Sequence, residues 1–131
     1  MPHCGQWWKD GEVGIAIVHF VNYKKGSQTR GSMGGVMSYV MQEKKTMWEG
    51  QQLVSGINCQ AQSVYNDFLN TKLLYHKDSG VMFYHMVQSF PRGEQVDPRQ
   101  AHDAARRLAE YFSGCEVLVC THVDRDHIHS H

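Results

Sequence analysis

Val81-Met-Phe-Tyr-His-Met-Val-Gln-Ser-Phe90 is the strongest strand signal in the chain, bounded by Asp78-Ser79-Gly80 before it and Pro91-Arg-Gly-Glu94 after it. Beyond that turn, Asp97-Pro98 is an N-cap followed by proline in the first helical turn. Ala101, Ala104, Leu108 and Phe112 then form an apolar stripe at helical spacing, and Gly114 is a natural C-cap. Glu116-Val-Leu-Val-Cys-Thr121 reads as the last clear strand. Working back from Val81, the apolar positions Val64, Phe68, Leu69 and Leu73 predict a helix from Ser63 to about Lys77. Leu53-Val-Ser-Gly-Ile-Asn-Cys59 is a short strand-like run. Val36, Met37, Val40 and Met41 predict a helix over Met33–Glu43. Asn22 to Gly35 reads as a loop, and Gly14-Ile-Ala-Ile-Val-His-Phe-Val21 as a buried strand. Strands alternate with helices, which predicts one sheet with helices packed on it and leaves open whether its strands are parallel or antiparallel.

The 131 residues fit one domain, with 41% hydrophobic and 20% charged residues. That balance excludes a disordered or collagen-like chain. Thirteen Lys+Arg offset thirteen Asp+Glu, so net charge announces neither a nucleic-acid partner nor an acidic tail. No apolar run approaches the roughly 18 residues of a membrane span. The polar N-terminus carries no signal-peptide core, which predicts a cytoplasmic protein. Cys4, Cys59, Cys115 and Cys120 form no CxxC pair and read as reduced thiols.

Histidine is the outlier, with nine copies, three of them among the last five residues. The chain closes on His122-Val-Asp124-Arg-Asp126-His127-Ile-His129-Ser-His131. If Ile128–His131 is a strand, His127, His129 and His131 lie on one face and His122 can return from the preceding strand to meet them. Three converging imidazoles make a divalent-metal site with open positions, and Asp124 and Asp126 are placed to hold ring N–H groups. Spacing alone does not choose among His127, His129 and His131. His19, His76, His85 and His102 stand apart and read as structural.

His122-x-Asp124-x-Asp126-x-x-His129-x-His131 resembles the third motif of the MobA/VirD2-like conjugative relaxases, HUH nucleases that mobilise plasmids and transposons. Val36-Met-Ser-Tyr39-Val-Met-Gln-Glu-Lys-Lys-Thr46 resembles their nucleophile motif, and Tyr84-His-Met-Val-Gln-Ser89-Phe-Pro-Arg-Gly-Glu94 their second motif, in the family's order. The Leu53–Cys59 run is similar to a segment of mobilisation proteins from Firmicutes elements. Ser130 stands where the family usually has an apolar residue, and His127 where Asn is common.

The resemblance implies an α+β fold, a mainly antiparallel sheet with helices packed on it. It spans residues 14–131 as a relaxase/mobilisation nuclease domain that is C-terminally incomplete, preceded by a leader over residues 1–13. It implies a DNA-nicking enzyme that cuts single-stranded DNA at an origin of transfer by metal-assisted tyrosine transesterification, leaving a 5′-phosphotyrosyl intermediate. In that scheme Tyr39 is the nucleophile and Tyr23 the runner-up. His122, His129 and His131 hold a divalent metal, Mg or Mn. Asp124 accepts a proton or orients, and Ser89 positions the phosphate or sugar. Lys24, Lys25, Arg30, Lys44 and Lys45 flank the DNA path, and an accessory DNA-binding mobilisation protein is a further partner. Two rival readings remain: a catalytically weak or inactive DNA- or metal-binding remnant, and a metal-dependent hydrolase of small phosphoesters that needs no tyrosine.

Overall fold

The computed structural model describes residues 3–9, 12–91 and 96–131, with side chains described from residue 16 onward. Strands β1 (His3–Lys9) and β2 (Glu12–Phe20) form an antiparallel hairpin. The stretch expected as a leader thus supplies a strand to the sheet. Helix α1 (Arg30–Val40) and the short α2 (Glu43–Thr46) follow, then a two-stranded ribbon of β3 (Met47–Trp48) and β4 (Gln51–Gln52). Strand β5 (Val54–Ile57), helix α3 (Val64–Leu74), strand β6 (Met86–Ser89), helix α4 (Pro98–Glu110) and strands β7 (Val117–His122) and β8 (His129–Ser130) complete the chain. The main sheet runs in the order β1-β2-β6-β8-β7-β5, and every pairing in it is antiparallel.

Helix α1 begins earlier than the apolar spacing predicts. Thr29 and Ser32 form a reciprocal capping box that starts the helix inside the stretch read as loop. It ends at Val40, and Glu43–Thr46 is a separate turn rather than its last part. At α4 the expected Asp97 cap is present, closed by Gln100 in a second capping box. Only Met86–Ser89 of the Val81–Phe90 run joins the ladder; residues 81–85 form no strand. Of the turn expected at Pro91–Glu94, residues 92–94 lie outside the described residues, as does the Cys4 side chain. Cys59, Cys115 and Cys120 are free thiols, with Cys120 fully buried.

Register assigns the two faces of the sheet. Ala16, Phe90, Val119, Thr121 and Ser130 face α4, whose Ala101, Ala104, Ala105 and Ala109 pack against them. Four small residues at that contact let the helix lie close to the sheet. Leu118, on the opposite face, packs with Met33 and Met37 of α1, Val64 of α3 and Met82. His122, His129 and His131 share this second face, under the C-terminal end of α1.

Gly56 of β5 sits where no side chain fits, because a Cβ there would run into the carbonyl oxygen of Cys59. That atom belongs to backbone and cannot rotate away. Gly56→Ala is therefore expected to destabilise the fold by about 1–3 kcal/mol, read from the urea midpoint at unchanged m-value.

Candidate metal centre

β7 and β8 are neighbours in a register that sets His122 opposite His129 and Cys120 opposite His131. Each of His122, His129 and His131 offers a ring nitrogen within 4.8 Å of the other two. His127 stays in the exposed loop before β8 and contributes only its carbonyl, which accepts from His129 Nδ1 at 3.1 Å. Strand alternation left three candidates open; the loop geometry excludes His127 from the cluster.

The hydrogen bonds on the outer nitrogens decide which atoms face inward. His122 is buried and its Nε2 donates to the Val40 carbonyl at 2.9 Å, which leaves Nδ1 as a bare lone pair. His129 donates from Nδ1, which leaves Nε2. A ligating imidazole donates its second N–H to an acceptor in just this manner. The acceptors for these two rings are main-chain carbonyls, where the spacing suggested Asp124 and Asp126.

Burial favours the neutral form of two of the rings, His122 and His131. Burial lowers the pKa of His122, and the neighbouring His129 and Lys45 lower it further, against the raising effects of the Val40 carbonyl and Asp124. His131 is pushed down to about 3 by burial and then by His122, His85, His129 and Lys45. Neutral imidazoles are the form a divalent cation requires.

Tyr39 lies beside this cluster. Its ring centroid is 6.0 Å from that of His122, edge to face, and the side chain is 50% exposed. The carbonyl that accepts from His122 belongs to the next residue, Val40, so one hydrogen bond ties the tyrosine's helix to the cluster. Lys45 places its Nζ 5.1 Å from the Tyr39 ring centroid and 3.1 Å from Asp124 Oδ2. Slight desolvation raises the Asp124 pKa, but the Lys45 hydrogen bond and charge outweigh it and hold the carboxyl below its usual range. Lys45 is anchored in turn by buried Thr46, whose hydroxyl donates to the Gln42 carbonyl, and by Val123 N–H donating to the Lys45 carbonyl. Ser89 pairs with His129 across β6 and β8, so it lies on the same face as the cluster.

Residues 39–131 match the family model of the MobA/VirD2-like relaxase nuclease domain. The chain belongs to this relaxase family. It is 38% identical over 78 residues to Protein rlx of Staphylococcus aureus, an overlap of 59% of this chain and 24% of that protein. It is 39% identical over 57 residues to the group II intron-interrupted relaxase LtrB of Lactococcus lactis subsp. cremoris, covering 42% of this chain and 10% of that one. The overlap thus spans about a quarter or less of these curated relatives. No solved structure matches the chain significantly.

The five cations singled out for DNA contact occupy different settings in this relaxase domain. Lys24, Lys25 and Lys44 are exposed. Arg30 is exposed and pairs with Asp78 at 3.3 Å. Lys45 is no free surface charge: its side chain is only 12% exposed and is committed to Asp124 and the Tyr39 ring. Among the described residues no helix is long and apolar enough to cross a membrane.

Two histidines read as isolated are not. His85 Nε2 lies 2.8 Å from His131 Nδ1, and His85 Nδ1 lies 2.7 Å from the Tyr23 hydroxyl. His102 on α4 is buried, with Nε2 2.7 Å from Ser55 Oγ and Nδ1 2.8 Å from Thr121 Oγ1, which is 2.7 Å from Ser130 Oγ. This chain of polar groups pins β5, α4, β7 and β8 together behind the cluster. The Ala101/Ala104 stripe marked His102's helix, yet no spacing rule linked its ring to Thr121 nineteen residues on.

Burial first, then Arg106, lowers the His102 pKa to about 4, from 6.5, against a raising effect of Asp103. A group whose folded pKa lies below its unfolded one binds protons preferentially in the unfolded state. Stability is therefore full above pH 6.5 and lost as pH falls from there toward 4. The urea midpoint of the metal-free chain is expected to drop between pH 7 and 5, and His102→Gln to flatten that slope by about one proton per molecule.

Proposed function

We propose that this domain nicks single-stranded origin-of-transfer DNA by metal-assisted transesterification, with Tyr39 as nucleophile and His122, His129 and His131 as metal ligands. The observation that carries the reading is the placement of a half-exposed tyrosine against one of three imidazoles whose ring nitrogens lie within 4.8 Å of one another. The donor set fits a divalent ion, and three nitrogens favour Mn2+ over Mg2+, which prefers oxygen ligands. When bound, such an ion supplies Lewis-acid stabilisation of charge on the scissile phosphate.

The remaining work falls to the protein's own groups. The Tyr39 oxygen bonds to phosphorus, the bond from phosphorus to the 3′ oxygen breaks, and the 5′ phosphate stays on the tyrosine. The phenol proton leaves to water and the 3′ oxygen takes up a proton, while the Lys45 ammonium, 5.1 Å from the ring centroid, lies beside the nucleophile. Asp124 acts as the orienting partner of Lys45 rather than as the tyrosine's direct base. Ser89 hydrogen-bonds the phosphate or sugar beside His129. Lys24, Lys25, Arg30 and Lys44 contact the phosphate backbone flanking the nick.

The experiment is capture of a labelled single-stranded oligonucleotide carrying the origin sequence. A denaturation-resistant protein–DNA adduct is expected with Mn2+ and is expected to vanish on chelation, then return on adding Mn2+. Metal binding without any adduct would support the DNA- or metal-binding remnant instead. Cleavage that yields a free 5′ phosphate and no adduct would support a hydrolase. The cytoplasm is the compartment such a reaction on plasmid DNA calls for, and an accessory DNA-binding mobilisation protein would present the site in single-stranded form.

A further inference from the structure

His122 and His129 each donate a ring N–H to a main-chain carbonyl, an acceptor that cannot reverse, so in the neutral tautomer of each ring the other nitrogen is the lone pair. The third ring has no such guarantee. His131 Nδ1 faces the Nε2 of another imidazole, His85, at 2.8 Å, and an imidazole nitrogen either donates or accepts. His85 Nδ1 in turn faces a hydroxyl, Tyr23, at 2.7 Å, which has the same freedom. The row Tyr23–His85–His131 therefore has two proton orders. If Tyr23 donates, His85 donates from Nε2 to His131 Nδ1, the proton of His131 sits on Nε2, and that nitrogen offers no lone pair. If the order is reversed, His131 donates from Nδ1 to His85, His85 donates from Nδ1 to the Tyr23 oxygen, and His131 Nε2 is free to ligate.

The row is held rigidly enough for the order to matter. Tyr23 packs edge to face on Phe83 with centroids 5.1 Å apart, and the His85 and His131 rings lie 5.0 Å apart. The Val21 N–H donates to the His85 carbonyl at 2.8 Å, which ties the Tyr23 loop to the segment leading into β6. His85 is partly buried and stands immediately before β6, where its ring reaches His131.

We propose that His85 and Tyr23 are positioning residues that set the tautomer of His131, so that metal binding at the His122–His129–His131 site requires the proton order His131 to His85 to Tyr23. The proposal rests on the metal reading above. Unlike the two carbonyl-held ligands, the third ligand becomes available only when a hydrogen-bond relay points outward.

The test is calorimetric titration of the metal-free chain with Mn2+, together with 15N NMR of the histidine rings in the Zn2+-loaded chain. His85→Leu fills the space but accepts no hydrogen bond, and it is expected to weaken Mn2+ binding by about 10- to 100-fold. His85→Gln offers an amide oxygen that accepts from His131 Nδ1, and it is expected to restore affinity to within about threefold. A purely packing role would let Leu serve as well as Gln. Tyr23→Phe should cost less, several-fold, because His85 keeps its contact to His131. In the unaltered Zn2+-loaded chain the His131 proton is expected on Nδ1. Equal Mn2+ affinity for the unaltered, His85→Leu and His85→Gln chains, or a His131 proton on Nε2 with metal bound, overturns the proposal. His122→Ala separates the two levels: if it too leaves Mn2+ binding unchanged, the metal reading itself fails, whereas loss with His122→Ala but none with His85→Leu sinks only the relay.

Discussion

Tyr39→Phe is expected to abolish the covalent protein–DNA adduct, lowering the rate of strand capture by a factor on the order of 10⁴ or more, the scale of losing a catalytic nucleophile. The substitution is clean because the ring remains. Its edge-to-face contact with His122 and its position under Lys45 need only the aromatic body, and the side chain is 50% exposed, so the fold loses little. Oligonucleotide affinity should stay within about threefold, which separates loss of chemistry from loss of binding. Tyr23→Phe, assayed at saturating Mn2+, is expected to keep the adduct, since Tyr23 faces His85 rather than open solvent. An adduct that survives Tyr39→Phe and disappears with Tyr23→Phe would move the nucleophile to Tyr23.

Thr121→Val is expected to destabilise the chain by about 2–5 kcal/mol although it changes the side-chain shape hardly at all. Thr121 is completely buried, and its hydroxyl stands between His102 Nδ1 and Ser130 Oγ. Removing it strands two groups in the interior, each at a cost of about 1–3 kcal/mol. The His102 ring keeps only Ser55, and Ser130 loses its link to β7. Ser130→Ala should cost less, because only Thr121 loses a partner and it still has His102. Urea unfolding of the two single variants and the double variant gives the coupling, expected to be well above zero for groups in one network. A loss below about 0.5 kcal/mol for Thr121→Val would show that the buried chain of hydroxyls and imidazole contributes nothing. The network also explains a departure from the relaxase pattern. Ser130 is polar where the family usually has an apolar residue, and here a buried hydroxyl partner on the next strand accommodates it.

The sequence alone reached the layer architecture through local signals. Apolar runs marked β2, β5, β6 and β7, helical spacing marked α1, α3 and α4, and Asp97-Pro98 placed the start of α4 to the residue. These signals depend on period and capping, which are properties of neighbours in the chain. The Thr29/Ser32 capping box was missed because Ser stands where Glu or Gln usually marks the motif. The His122/His129/His131 set and Tyr39 came from motif order, not from periodicity; strand alternation by itself favoured His127 equally.

The tertiary structure decided everything that depends on which strands are neighbours. Antiparallel pairing places β8 between β6 and β7, so Ser89, His122, His129 and His131 share one face while Thr121 and Ser130 share the other. It turned Lys45 from a surface charge into the partner of Asp124 and Tyr39, and His85 and His102 from isolated rings into members of two networks. No local rule reaches these contacts. They join residues up to 79 positions apart, and an ionisable side chain's partner is set by whichever element packs over it. Residue type and order determined which imidazoles, carboxylates and hydroxyls the chain carries. Strand order and register determined which nitrogens face inward and which carbonyls, rings and hydroxyls hold them there.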